Sequence, residues 1–221
     1  MTISQNWSVD LPPLVVPAGG KSERMKTPKG LLNFFGKPWL KHQLDCYRRA
    51  GGKTAVVVLG FKADDYLNAL SFLKVDQTIR TDGLDITTLL NPLPQFGPFS
   101  TIQMGLSFLL RQNFSSFAFL ALDRPAPRPA VWHRLANILN DQNADMVFPV
   151  RNGKDGHPVM LSGSFAQTIT TLNPETGRMD KLRLTLPDGA CLAVEETDIN
   201  VGFNLNTPEQ WREFLNQRGA V

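Results

Sequence analysis

The chain has 221 residues, 42% of them hydrophobic and 19% charged, which suits one α/β domain with a substantial core and excludes a disordered chain. A formal net charge of +3, with no basic stripe interleaved with aromatics, gives no support to nucleic-acid binding; one anionic ligand site would account for it. Cys46 and Cys191 form no C-x-x-C pair, no apolar run is long enough to span a membrane and no signal peptide is read, so a soluble, reduced, cytoplasmic setting is expected, without a disulfide framework or a zinc site.

Residues 1–13 read as a polar lead-in, poorly ordered or lying along the surface, and 14–221 as a single domain. Leu14, Val15 and Val16 suit a buried strand. After a turn at Gly36 and Pro38, a helix is expected over 39–50, with Leu40, Leu44 and Tyr47 on one face and Gly51-Gly52 stopping it; His42 on it reads as a surface or capping residue. The apolar run 54–59 predicts a strand covered on both faces, and 63–73 a helix turning Tyr66, Leu67 and Leu70 inward. This alternation implies a parallel sheet with right-handed crossovers. A strand is expected over 86–90, then a proline-rich loop, 91–100, without regular structure. A helix over 100–110 should bury Ile102, Leu106 and Leu109, and 117–122 reads as a buried strand ending at Asp123. Pro129 opens a helix with Val131, Leu135, Ile138 and Leu139 inward and His133 on its surface. Further expectations are a strand over 145–150, a polar loop over 151–156, a less regular region from His157, helices over 164–173 and 177–185, and a strand over 191–194. Thr207 and Pro208 cap a last helix packed down by Trp211, Phe214 and Leu215.

The chain is organised around LVVPAGGKSERMKTPKGLL, residues 14–32. Glycines permit close backbone approach, and Lys21, Arg24, Lys26 and Lys29 stand against one acid, Glu23. Exposed N–H groups and cations just past a strand form a cradle for a polyphosphate, although a solvated basic turn has the same composition. Gly20-Lys21-Ser22 does not close a P-loop, because Val15 occupies the position of its first glycine, and no G-x-G-x-x-G is present. Asp123, at the carboxyl end of a buried strand, sits where open α/β sheets bind ligands and could hold Mg²⁺; an aspartate opening a turn before Pro125 reads equally well.

The same loop resembles the signature of the MobA-like NTP transferases, L-A-G-G-x-S-x-R-M-G-x-x-K-x-L-L. Ala18, Gly19, Gly20, Ser22, Arg24, Met25, Lys29, Leu31 and Leu32 fall on it in register; Pro17 and Lys26 depart from it. Asp123-Arg124-Pro125 is similar to the family's Asp-x-Pro element, whose aspartate binds the metal, and 203–209 to its N-x-N-T-P-E element. The resemblance implies a Rossmann-like, three-layer α/β nucleotidyltransferase fold with a mostly parallel central sheet, and an acceptor-side region at about 157–200. It implies catalytic roles for Arg24, Lys29 and Asp123, with Asp123 and Asn204 at a Mg²⁺ ion. It also implies nucleotide contacts from Ala18, Gly19, Gly20, Ser22, Arg24, Lys29, Gly60, Ser100 and Asp123. The activity implied is transfer of CMP or GMP from CTP or GTP to a phosphorylated acceptor such as molybdopterin, with a molybdoenzyme or its maturation chaperone as recipient. The stretches 97–106 and 156–159 look like the cytidylyl branch, which is favoured, and 204–207 like the guanylyl branch. Two alternatives stay open: a sugar- or polyol-phosphate acceptor, and a non-catalytic nucleotide-binding protein that delivers a cofactor, which Pro17 and Lys26 keep alive.

Overall fold

The computed structural model describes residues 9–219. In chain order it comprises β1 (Leu14–Ala18), a hairpin of β2 (Asn33–Phe34) and β3 (Lys37–Pro38), α1 (Trp39–Arg49), β4 (Thr54–Leu59), α2 (Ala63–Ala69), β5 (Thr78–Thr81), β6 (Leu84–Leu90), α3 (Gly97–Leu110) and β7 (Ser116–Phe119). The second half adds α4 (Pro129–Asp141), β8 (Met146–Arg151), β9 (Lys154–Asp155), β10 (Val159–Ser162), α5 (Gly163–Thr171), α6 (Met179–Leu182), β11 (Cys191–Glu195) and α7 (Pro208–Gly219).

Nine strands form one sheet in the order β11-β8-β10-β7-β1-β4-β6-β5, with β9 paired to β8. The pairs β1–β4, β1–β7, β4–β6 and β8–β11 are parallel. Strand β10 is inserted antiparallel between β7 and β8. Successive β1 side chains go to opposite faces. Leu14, Val16 and Ala18 join a core with Leu40, Leu44, Leu135 and Trp211, from α1, α4 and α7. Val15 joins a second core with Ile102, Leu106, Phe165 and Ile169, from α3 and α5. The result is the three-layer arrangement of helices on both faces of a mostly parallel sheet. Among the described residues no helix is long and apolar enough to cross a membrane.

Several expectations need correction. Residues 1–8 of the lead-in lie outside the described residues; Pro12 and Pro13 are buried, Pro12 accepting a 2.7 Å hydrogen bond from Tyr47 Oη and Pro13 one of 2.9 Å from Ala118 N. Strand β5 has no counterpart in the sequence reading because Thr78, Ile79, Arg80 and Thr81 form no apolar run; it is an exposed edge strand. Its signal was the Asp82-Gly83 pair, both at positive φ, in a two-residue hairpin loop. Asn152-Gly153 likewise turns the expected polar loop into the β8–β9 hairpin. The loop 91–100 contains a 3-10 turn at Pro94–Phe96, and α3 starts at Gly97 rather than at residue 100. The irregular region after His157 is in fact β10. The expected helix over 177–185 divides into α6 and a 3-10 turn at Arg183–Thr185.

Strand β7 ends at Phe119, not at residue 122. Val15 accepts a hydrogen bond from Leu120 N, so Pro17, two residues on, faces the same neighbour without an N–H to offer. The ladder stops there, and 120–123 peels away to open a crevice beside β1. His133, expected at the surface, is 4% exposed, with Nε2 2.7 Å from the Ala50 carbonyl.

Candidate active site

The crevice lies at the carboxyl ends of β1 and β4, where the termini of parallel strands leave polar backbone free for a ligand. It has a volume of about 570 Å³, and the loop after β1 forms one wall through Gly19, Gly20, Ser22 and Arg24. Lys29, Asp123 and Asn206 converge on it from three distant parts of the chain, and Phe61, Tyr66, Gln95 and Thr101 are among the other lining residues.

The loop takes its shape locally. Ser22 and Lys26 are in the left-handed region, at φ 53° and 58°, and Lys26 N bonds to the carbonyls of Ser22 and Glu23. The sharp bends therefore fall on these two residues. Gly19 serves close packing instead: a Cβ there would lie 2.9 Å from Thr101 Oγ1. At Gly60 a Cβ would lie 2.9 Å from Gly19 Cα and 2.8 Å from Pro94 Cβ, so the end of β4 comes this close to the end of β1 only because Gly60 lacks a side chain. Gly20 has open space around it and faces the crevice.

Lys29 is held at three points. Its N–H bonds Ser22 Oγ at 3.2 Å, the next N–H, of Gly30, bonds Tyr66 Oη at 3.0 Å, and its ammonium donates to Asn206 Oδ1 at 2.6 Å. Burial lowers its pKa from the ordinary lysine value; Asp123 opposes that shift, while Arg24 and Arg124 add to it. A cation with other cations beside it attracts an added anion.

Asp123 is fixed from α1. Trp39 Nε1 donates to the Leu122 carbonyl at 2.8 Å, and buried Gln43 donates to the Arg124 carbonyl at 2.6 Å while accepting from Ala126 N at 2.9 Å. The Asp123 carbonyl accepts from Leu205 N at 2.8 Å, joining the turn to the segment before α7. His157 packs edge-on to Phe119 near the same turn; burial pushes its pKa down to about 4, partly offset by Asp123, which leaves it neutral near pH 7.

The structure thus brings together Ala18, Gly19, Gly20, Ser22, Arg24, Lys29 and Asp123. Gly60 stands behind the wall as a packing position. Ser100 does not line the crevice; its hydroxyl accepts from Asn91 Nδ2 at 3.0 Å and donates to the Gly97 carbonyl at 2.9 Å, and Thr101 takes the lining place. Asn204 is exposed and outside the lining, accepting a hydrogen bond from Asn206 Nδ2; Asn206 is the asparagine in the crevice. Sequence reasoning also missed Phe61 and Tyr66, which carry no motif; the second asparagine of the 203–209 element was the available signal for Asn206.

Among the described residues no group of three or more His, Cys, Asp or Glu side chains comes together, so there is no all-protein cage for a metal. The carboxylate of Asp123, lining a polyanion-sized crevice, does fit Mg²⁺ in its usual arrangement, where substrate phosphates and water complete the shell.

This strand order, with a glycine-containing loop at the end of the central strand, is a nucleotidyltransferase fold. A nucleotidyl transferase from Methanothermobacter thermautotrophicus superposes with a TM-score of 0.72 at 20% identity, over 95% of this chain and 98% of that one. The molybdopterin-guanine dinucleotide biosynthesis protein A of Archaeoglobus fulgidus gives 0.64 at 17% identity, over 95% and 100%. The 4-diphosphocytidyl-2C-methyl-D-erythritol synthase of Anaerococcus prevotii gives 0.68 at 14% identity, over 96% and 99%. No curated protein sequence matches the chain significantly. The profile of the MobA-like NTP transferase domain matches residues 14–189, and the chain belongs to that family.

Proposed function

We propose that the protein transfers a nucleoside monophosphate, CMP in preference to GMP, from the triphosphate to the phosphate of a molybdopterin-type acceptor and releases pyrophosphate. The observation that carries this reading is the convergence of Lys29, Asp123 and Asn206 on the crevice walled by the loop after β1. In the reaction an acceptor phosphate oxygen bonds to the α-phosphorus as its bond to the β-phosphate oxygen breaks. Arg24 and Lys29 would hold the phosphate chain, and the backbone N–H groups near Gly20 would orient it. Their fixed positive charge would stabilise negative charge gathering on the leaving pyrophosphate. Asp123, with support from the Asn204–Asn206 segment, would hold Mg²⁺, which when bound offsets phosphate charge. No side chain need act as a covalent nucleophile. A molybdoenzyme or its maturation chaperone would take the product.

The test is thermal stability with CTP, GTP, ATP and UTP, with and without Mg²⁺, for the wild type and Asp123→Ala. At about a hundred times Kd a ligand stabilises by roughly 2.7 kcal/mol, a visible shift. A metal-dependent shift with one base, absent in the variant, together with pyrophosphate release with molybdopterin, is the expected result. Release only with a sugar 1-phosphate or polyol phosphate would transfer the reading to another acceptor. Tight binding without any release would leave a nucleotide-binding delivery protein. No shift with any triphosphate would end the enzyme reading.

A further inference from the structure

Tyr66, on α2, is assigned no role by the loop or the acidic turn, yet it lies against both the crevice and the Lys29 segment. Its side chain is buried, with 2% residue exposure, and it lines the crevice. Oη accepts the Gly30 N–H at 3.0 Å. A phenol that accepts a hydrogen bond still carries its own hydrogen, and among the described residues Oη donates that hydrogen to no protein acceptor. The ring also fills the space under Gly30, where a Cβ would lie 2.6 Å from Tyr66 Cε1. The contact thus depends on a glycine immediately after Lys29.

We propose that Tyr66 is a ligand of the bound polyphosphate, donating its Oη hydrogen to a phosphate oxygen while its lone pair seats the Gly30 N–H. The two roles cooperate. The backbone donor polarises the phenol oxygen and so strengthens its remaining hydrogen as a donor to an anion in the crevice. Burial raises the Tyr66 pKa to about 12, with the Gly30 N–H opposing, so the phenol keeps its proton at neutral pH. The inference needs only a polyphosphate in this crevice; it rests on the proposed function for the identity of that polyphosphate, not for the transfer step.

Inorganic tripolyphosphate is the probe, because it carries neither base nor acceptor. In calorimetric titrations Tyr66→Phe should bind it roughly tenfold or more weakly than the wild type, the scale of one hydrogen bond to a charged group. The chain has two tyrosines, so ¹³C-tyrosine labelling gives a second readout. Saturating tripolyphosphate should move the Tyr66 Cζ resonance and leave that of Tyr47, whose hydroxyl is held by the Pro12 carbonyl at 2.7 Å, in place. Equal affinity in Tyr66→Phe, or an unmoved Tyr66 resonance at saturation, would overturn the inference and leave the transfer reading standing. Tripolyphosphate binding through Tyr66 without turnover would leave the inference and remove the transfer. A wild type that binds neither tripolyphosphate nor any triphosphate would remove both.

Discussion

Lys29 shows how a single charge takes its proton affinity from its surroundings. Burial, with Arg24 and Arg124 beside it, lowers its pKa, and Asp123 opposes this only in part. A bound triphosphate favours the charged form, so binding must raise that pKa and take up a proton wherever free Lys29 has begun to lose it. Calorimetry in buffers of different ionisation enthalpy should detect proton uptake at alkaline pH still below the ordinary lysine value of 10.5; the uptake should vanish in Lys29→Gln. Lys26 makes a contrasting case. It departs from the family signature at a glycine position, and the structure holds it at φ 58°, which glycine adopts without strain. The loop is closed despite the lysine. Relief of left-handed strain, worth about 1–2 kcal/mol, is set against glycine's entropic cost of about 0.5–1 kcal/mol. Lys26→Gly should therefore raise stability by up to about 1.5 kcal/mol and keep the nucleotide-dependent thermal shift. A lower melting temperature in that variant would contradict the account.

Helix α3 shows the same competition at the scale of an element. Gly105 is inside the helix, where alanine is favoured by about 1 kcal/mol on propensity alone. A Cβ at that position, however, would lie 2.5 Å from Val15 Cγ1 on β1. Packing outweighs propensity here, because overfilling a dense core costs about 1–3 kcal/mol. Gly105→Ala should lower stability in chemical denaturation, and because β1 carries the loop proposed to hold the phosphates, it should also weaken triphosphate binding. Adding Val15→Ala should recover part of the loss, a non-additive result expected of residues in contact. At the other end of α3, Asn91 bonds Ser100 Oγ at 3.0 Å, Thr101 Oγ1 at 3.1 Å and the Leu93 N–H at 2.9 Å. This network turns a proline-rich segment into a fixed wall of the crevice.

Across the whole molecule, an aromatic cluster binds the C-terminal helix to the body. Trp211 and Phe214 of α7 pack on Trp39 of α1 and Phe34 of the small hairpin, and His42 lies 4.2 Å from Phe34 between ring centroids. This docking carries Asn206 to Lys29. It also tunes His42, whose pKa falls to about 4 through burial first and then the charges of Arg49 and Lys37. The folded state then binds fewer protons than the unfolded state between about pH 6.5 and 4. Stability should accordingly rise with pH through that window and be lost as pH falls through it. His42→Gln should flatten the slope of unfolding free energy against pH by about one proton's worth, measured by denaturant titration at several pH values.

What the sequence determined by itself is local. The apolar runs from Leu14 and Thr54 and the helical spacing of Leu40, Leu44 and Tyr47 located β1, β4 and α1, because burial dictates side-chain period. The signature positions from Ala18 to Leu32 marked the loop that walls the crevice, and Asp123 marked the end of a strand. The Asp82-Gly83 and Asn152-Gly153 hairpins were legible too, and were outweighed by the polarity of their strands. Other features exist only in three dimensions. β10 runs antiparallel between β7 and β8, β7 stops where Pro17 offers no N–H, and Ser100 turns into the wall while Thr101 faces the crevice. Asn206 reaches Lys29 from 177 positions away in the chain, and Tyr66 meets Gly30 from 36 away. The 203–209 element includes Asn206 and helical spacing turns Tyr66 inward, but neither signal names the partner of a side chain. Its role is set by what tertiary packing brings within hydrogen-bonding distance.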